Sequence, residues 1–244
     1  MIESIKKYLV RFGSFVLNLL NVSTRRLMFS FFYNKDWFLL QSSEDVFDEI
    51  YNTNLWESDE SKSGGGSTLE ATAVMRAELP ELIKKYNIKS MLDAPCGDYN
   101  WMKEVPKYCS YIGGDIVHDL IKKNQELYSS EKVQFQQLDL TKDKLPEVDL
   151  VFCKDCLQHL SYEHAKDAIN NIKNSGSKYL LVTSYHKTKR NHDIHSGDYR
   201  ALNLHKSPFN LKGHLDKIEE KPRSVNTEFD KTMYLYELAK IPAL

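Results

Sequence analysis

Cysteine is scarce in this chain: four residues among 244, against 33 lysines and arginines and 34 acids. That excludes a disulfide-stapled scaffold and points to a reduced, cytoplasmic setting. Neither sign of charge prevails. A formal net charge of −1 removes the global electrostatic case for a nucleic-acid partner, and no extended basic face stands out. No apolar run approaches the ~20 residues of a membrane span. Glycine is thin too, ten residues in all. Nowhere are they spaced as G-x-G-x-x-G, the loop that lets a backbone close on a pyrophosphate. Internal repeats are absent.

What is present is an alternation of strands and helices. Apolar runs near residues 90–94, 111–115, 133–138, 148–153 and 178–184 read as strands. Helical patterns fit 99–105, 118–129 and 161–175, the last closed by Gly176. This predicts an α/β, Rossmann-like, doubly wound and mostly parallel sheet. Residues 215–220 and 232–239 are strand-like with no helix between them, and are expected to close one edge as an antiparallel pair. The expected division is a helical N-terminal extension, 1–66, and a ligand-binding domain, 67–244.

The most informative stretch is MLDAPCGD, residues 91–98. An apolar strand ends in Asp93, then Pro95, Cys96 and Gly97 turn the backbone. An α/β protein presents the end of its first strand to a nucleotide-like ligand in this way. YIGGD ends the second strand in Asp115, about twenty residues further on, a spacing that suits ribose hydroxyls. Asp139 follows the third strand and Asp155 the fourth. Aspartates at strand ends also cap turns, but this succession predicts a nucleoside-cofactor enzyme.

Over about residues 88–240 these motifs resemble the class I S-adenosylmethionine-dependent methyltransferases. MLDAPCGD stands at the family's first motif, YIGGD at its ribose acid, QLDL at the acid near adenine, and DLVFCKDCLQHLS at the fourth strand and loop. APCGDYNWM, CKDCLQHLS and GSKYLLVTS are similar to bacterial methyltransferases of small molecules and capsule or surface glycans. The resemblance implies S-adenosylmethionine as cofactor and S-adenosylhomocysteine as product. It implies a cradle of Asp93, Ala94, Pro95, Cys96, Gly97, Asp98 and Trp101. Asp115 and Ile116 would meet the ribose, Asp139 and Leu140 the adenine, with Asp155 beyond the fourth strand. Arg76 would reach the cofactor carboxylate or form a surface salt bridge. Pro95 and Tyr99 depart from the family by standing where it often has glycine.

Methyl transfer from a sulfonium is an in-line displacement whose rate owes much to alignment. A hydroxyl nucleophile also gains from a histidine or carboxylate base. His159 and Asp155, after the fourth strand, are the first candidates. The segment 185–209 is the other source, with His186, His192, His195, His205, Lys187, Lys189, Arg190 and Arg200. His195 or His186 is the alternative base, and Arg200, Asn191, Asp193 and Tyr199 are the candidate acceptor contacts. Long loops in compact domains tend to be functional. The positive charge predicts a small anionic acceptor: a uronic acid or a phosphorylated or nucleotide-linked sugar. The histidine-rich loop together with the resemblance implies O-methylation, and the resemblance adds a phosphoramidate capsule precursor.

Other readings are open. Cys153-x-x-Cys156 with His159 invites zinc or redox chemistry, but a structural zinc needs four ligands and no second cysteine pair exists, so no metal is expected. Tyr162 and Lys166 have the Y-x-x-x-K spacing of a nicotinamide-dependent oxidoreductase or epimerase, which the missing glycine fingerprint opposes. A non-catalytic S-adenosylmethionine-binding subunit is the third.

Near the N-terminus, Ile5, Leu9, Phe12, Val16 and Leu19 form one helical face opposite Lys6, Lys7 and Arg11. Arg11 and Asn18 interrupt any signal-peptide core, and no small-residue cleavage site follows. The helix is expected to dock on the domain or on a second subunit of an oligomer, with peripheral contact to an anionic membrane as the alternative. The run Ser63-Gly64-Gly65-Gly66-Ser67 is a linker or a lid over the ligand. Ser67 with Glu70 predicts a helix over 67–86, kinked or split at Pro80.

Overall fold

The computed structural model describes residues 42–56, 58–220 and 231–244. The N-terminal amphipathic helix read above lies outside them. The chain divides into two compact units, 1–46 and 47–244. Helix α1, Ser43–Thr53, starts at Ser42, whose hydroxyl accepts from the Asp45 amide at 3.1 Å.

The second unit is built on one seven-stranded sheet of order β3-β2-β1-β4-β5-β7-β6. Its strands are β1 Ser90–Asp93, β2 Ser110–Asp115, β3 Val133–Gln137, β4 Leu150–Cys153, β5 Tyr179–Tyr185, β6 Asp216–Glu219 and β7 Lys231–Glu237. The first five pair in parallel; β7 runs antiparallel to β5 and to β6. The expected antiparallel edge is therefore present, with the later strand of the pair on the inside.

Burial explains which strands are central. Leu150–Cys153 is buried throughout, as a strand covered on both faces must be, whereas Val133–Gln137 alternates like an edge strand. Successive residues face opposite layers. Met91, Tyr111, Leu150, Phe152, Leu181 and Met233 join the core beneath α2, Ala73–Lys85, and α3, His118–Tyr128. Leu92, Val151, Cys153, Leu180 and Tyr234 join the core beneath α4, Tyr162–Asn174. On α4, Ala165, Ala168, Ile169 and Ile172 supply the apolar stripe, and Gly176 follows at φ +80.

Two expected helices differ. The helix begins at Ala73 rather than Ser67 and runs unbroken through the buried Pro80. The Ser67–Glu70 box does not form, because other acceptors take the amides nearby. Thr68 Oγ1 accepts from Ala71 at 3.2 Å, and Glu60 accepts from the Leu69 amide at 2.7 Å. After β1 there is a 3-10 turn, Met102–Glu104, instead of a helix over 99–105.

The strand order reverses between β1 and β4. The crevice beyond the ends of these two strands is where an open parallel sheet takes its ligand.

Candidate active site

The loop after β1 turns its amides inward. Ala94 N–H donates to Phe152 O at 3.0 Å, Cys96 to Gly114 O at 2.8 Å, Gly97 to Asp115 Oδ2 at 3.0 Å, and Asp98 to Ser63 Oγ at 2.9 Å. Pro95 has no amide hydrogen. No donor of residues 94–98 is left for a pyrophosphate, and no regular helix begins here to add its N-terminal dipole. Gly97 is left-handed at φ +56, and a Cβ there would lie 2.2 Å from Ser63 Oγ. Asn124 Nδ2 donates to its carbonyl at 2.8 Å. Tyr99 is also left-handed, at φ +58, in the conformation that glycine takes without cost. Its buried ring packs edge-on to Phe135 with centroids 5.0 Å apart, and beside Tyr111 and Tyr128.

Acids close the strands as expected. Asp93, buried at the end of β1, accepts from the Tyr111 hydroxyl at 2.7 Å. Burial pushes its carboxyl up to about 7, against the opposing pull of Tyr111 and Lys107. Asp115 ends β2 and accepts from the amides of Gly97 and Val117. Burial pushes it up to about 6, and only neutral donors counter it. A buried carboxylate held by N–H groups alone suits further neutral hydroxyl donors, such as those of a ribose, and is hostile to phosphate. These residues could hold S-adenosylmethionine: Asp115 with the partly buried Ile116 would face the ribose, and Asp93 with the 94–98 loop would face the methionine side.

The remaining cofactor candidates lie around this crevice. Trp101 is buried against Phe152, with Lys154 Nζ 5.9 Å from its ring centroid. Asp139 is tied into its own turn, accepting from the Thr141 amide and hydroxyl and pairing with Lys142 at 3.2 Å. Burial opposes its charge, but those partners outweigh burial and hold it below its ordinary value. Leu140 is buried beside it and its carbonyl accepts from Asn171. Arg76 donates to Leu69 O at 2.9 Å, while its Nε is buried without a partner.

The loop after β4 carries the second half of the site. Asp155 is left-handed at φ +54, with its amide donating to Thr183 Oγ1 at 2.9 Å. Its Oδ2 meets Lys154 Nζ, and Lys231 Nζ at 2.7 Å; its Oδ1 accepts from Gln158 Nε2 at 2.8 Å. Glu220 completes a ring of charges, 2.9 Å from Lys231 and 3.7 Å from Lys154. Burial works against the Asp155 charge, but the two lysines override it and hold the carboxyl far below the usual carboxylate range. Paired with both lysines, it is arranged to anchor the loop after β4.

His159 ends the 3-10 turn Leu157–His159. Its ring lies between Trp56 and Tyr199, with centroids 5.2 and 5.6 Å away. Nδ1 is 3.0 Å from the Asp198 carbonyl, which can only accept, so Nδ1 carries the proton. Burial lowers the imidazole's affinity for a second proton. The Asp198 carbonyl and Asp155 oppose this, while Arg200 and Lys231 reinforce it.

The glycine run lies against both halves. Ser61 Oγ and the Lys62 amide donate to the Asp98 carboxylate, each at 2.9 Å. Further along, Gly66 O accepts from Lys154 Nζ at 3.2 Å, and a Cβ at Gly66 would stand 3.0 Å from Asp155 Oδ2. A Cβ at Gly64 would come within 3.1 Å of Trp56.

The histidine-rich segment after β5 is an ordered, packed loop. Ile194, Leu202, Leu204, Phe209 and Leu211 are buried. Arg200, 2% exposed, donates its guanidinium to Leu160 O and lies over the Tyr162 ring. Its charge serves the backbone after β4, so it is not placed to meet an acceptor anion directly. Asn191 bonds Asn203 and Ser207, and Asp193 accepts from the Tyr162 amide at the start of α4. Both are structural ties. Tyr199 is 46% exposed beside His159, and His186 and His195 are exposed.

Cys153 is fully buried, and the adjoining Cys156 thiol and burial push its own thiol well up. Among the described residues no group of three His, Cys, Asp or Glu side chains is arranged to hold a metal ion. Tyr162 packs edge-on to Phe209. Burial raises its hydroxyl pKa, the wrong direction for a dehydrogenase acid.

Residues 91–175 match a family described as "Methyltransferase domain". No curated protein matches the chain. Among solved structures it is similar to human N-acetylserotonin methyltransferase in complex with S-adenosylmethionine, at 17% identity and TM-score 0.55. That match covers 81% of this chain and 60% of that one, so the chain spans about three fifths of that enzyme's length. An S-adenosylmethionine-dependent methyltransferase from Clostridium acetobutylicum ATCC 824 gives 16% identity, coverage of 80% and 99%, and TM-score 0.52. The N-methyltransferase NodS from Bradyrhizobium japonicum WM9, with S-adenosylhomocysteine, gives 11%, 78% and 98%, and 0.53. The likenesses to solved structures show the fold, and the family match is confined to residues 91–175. With a cradle of neutral donors and buried acids at the switch point, this chain has the fold seen in S-adenosylmethionine-dependent methyltransferases, and its residues 91–175 match a methyltransferase domain.

Proposed function

We propose that this chain is an S-adenosylmethionine-dependent methyltransferase acting on a hydroxyl group of a small acceptor, with His159 as the general base. The bond from Nδ1 to the Asp198 carbonyl carries this reading, because it leaves Nε2 as a bare lone pair. Enclosure by Trp56 and Tyr199 favours the neutral ring. Among the described residues Nε2 has no hydrogen-bond partner of its own. S-adenosylmethionine brings a methyl group already activated by the positive sulfur. The chain has to seat the acceptor, exclude water and take up one proton at Nε2.

The exposed Lys187, Lys189 and Arg190, with His186 and His195, favour a small anionic acceptor such as a uronic acid or a phosphorylated or nucleotide-linked sugar. The glycan-methyltransferase resemblance adds capsule or surface-polysaccharide precursors, made at the cytoplasmic side. In this reading Arg200, Asn191 and Asp193 shape the acceptor site from behind, and Asp139 with Leu140 borders the adenine. Among the described residues no helix is long and apolar enough to cross a membrane. Contact with an inner-membrane surface would fall to the sequence carrying Ile5, Leu9, Phe12, Val16 and Leu19 opposite Lys6, Lys7 and Arg11.

The test is mass spectrometry of labelled methyl transfer into pooled nucleotide sugars and surface-glycan precursors. His159→Gln should lower the transfer rate by about 10²- to 10⁴-fold while S-adenosylhomocysteine binds as before. A near-wild-type rate in that variant ends the base assignment. Tight S-adenosylhomocysteine binding with no labelled product in the wild type favours a binding subunit.

A further inference from the structure

Lys231 is the first residue of β7 and pairs with Tyr185, the last residue of β5. Strand direction gives this meaning. The parallel strands bring their last residues to the ligand edge, and an antiparallel strand brings its first. Lys231 therefore arrives at the crevice from a part of the chain remote from the other site residues. Its Nζ meets Asp155 Oδ2 at 2.7 Å and Glu220 Oε2 at 2.9 Å. Both acids and both lysines of the ring are largely buried.

From there one line of bonds leads to the base. Asp155 Oδ1 receives Gln158 Nε2 at 2.8 Å, and Gln158 immediately precedes His159 in the 3-10 turn. Asp155 also sits in a left-handed conformation at φ +54, which for a residue with a Cβ persists only when its surroundings enforce it. Lys154 adjoins Asp155 in the chain and also donates to Gly66 O. Lys154 belongs to the same loop as Asp155, whereas Lys231 stands in the sheet.

We propose that Lys231 is a positioning residue: held by Glu220, it pins Asp155 from β7 and so sets the turn that aims His159 Nε2 at the acceptor. This rests on His159 being the base. The groups acting on His159 are the Asp198 carbonyl and Asp155, which favour the imidazolium, and Arg200 and Lys231, which disfavour it. Losing Lys231 removes a tether and leaves the Asp155 charge less balanced beside the ring.

The experiment uses the full chain and needs no known acceptor for its main readout. The His159 imidazole is titrated by ¹H–¹⁵N NMR in the wild type, Lys231→Met and Lys231→Arg, with His159→Gln to assign the signal. S-adenosylhomocysteine binding reports the fold. In Lys231→Met the midpoint should move up by about half to one pH unit. Label transfer into the same pooled sugars should fall by about 10- to 100-fold. Lys231→Arg should restore both. If Lys231→Met does not bind S-adenosylhomocysteine, Lys231→Gln, which keeps a donor and drops the charge, is read instead for the same upward shift. A wild-type midpoint in the folded variant overturns the proposal. An active His159→Gln with a shifted Lys231→Met midpoint fails the base assignment alone. An inactive His159→Gln with an unshifted midpoint fails only the role of Lys231.

Discussion

Gly97 and Tyr99 share a backbone conformation, but the consequences differ. Tyr99 offsets its left-handed strain by burying its ring among Tyr111, Tyr128 and Phe135. Aromatic pairs of this kind add about 0.5–1.5 kcal/mol each beyond area burial. Gly97 has no such compensation available, since its open side is filled by Ser63. Gly97→Ala should cost about 1–2 kcal/mol through φ alone, and more through the 2.2 Å approach to Ser63 Oγ. Urea unfolding of Gly97→Ala, with and without Ser63→Gly, separates the parts. The second change should recover the contact term and leave the φ term. Full recovery would show that the backbone is not strained there.

At the scale of elements, the segment 61–67 behaves as a strap across the site, because the Asp98 carboxylate gathers Ser61, Lys62 and Ser63. Asp98→Asn keeps the shape and removes the charge that strengthens these bonds. Hydrogen exchange over residues 58–69 should quicken and S-adenosylhomocysteine should bind more weakly. Unchanged exchange would place the strap's anchorage elsewhere. This strap also shows where local reading stopped. Glycines and serines advertise flexibility, but the partner that orders them, Asp98, lies about 35 residues away. Ser67 and Glu70 lost their capping pattern to nearer competitors, Glu60 and Thr68. The strands were legible because burial on both faces leaves unbroken apolar runs such as LVFC, and strand ends were legible because the run stops at an acid. The charge ring was not, since Asp155 and Lys231 are 76 residues apart and a lone lysine at the start of a strand reads as solvated. Trp56 was likewise hidden in an aromatic-rich helical stretch.

For the whole molecule, the switch point between β1 and β4 gathers ionisable groups whose shifts oppose one another. Asp93 rises from 3.8 to about 7 and Asp115 from 3.8 to about 6. The fold holds protons there that the unfolded chain has released, so their contribution declines as pH rises from about 4 to about 7. For Asp93 the full excursion is about 4 kcal/mol. His159 works the other way, because the fold keeps it neutral where the unfolded ring would charge. Its contribution grows with pH up to the ordinary histidine value. Asp93→Asn should therefore narrow the gap between melting temperatures at pH 5 and pH 8 by lifting the pH 8 value relative to pH 5. An unchanged gap would mean that Asp93 ionises freely in the fold.

The inward-turned amides of residues 94, 96, 97 and 98 have a consequence for molecular traffic. Most adenosine that reaches an enzyme is attached to phosphates, which seek unpaired N–H groups. A loop whose amides at residues 94, 96, 97 and 98 are all paired offers phosphates no free N–H there, which disfavours these abundant competitors. Under the proposed function, the fully paired loop would act as a filter, favouring an adenosine that ends in a sulfonium over one that ends in phosphates.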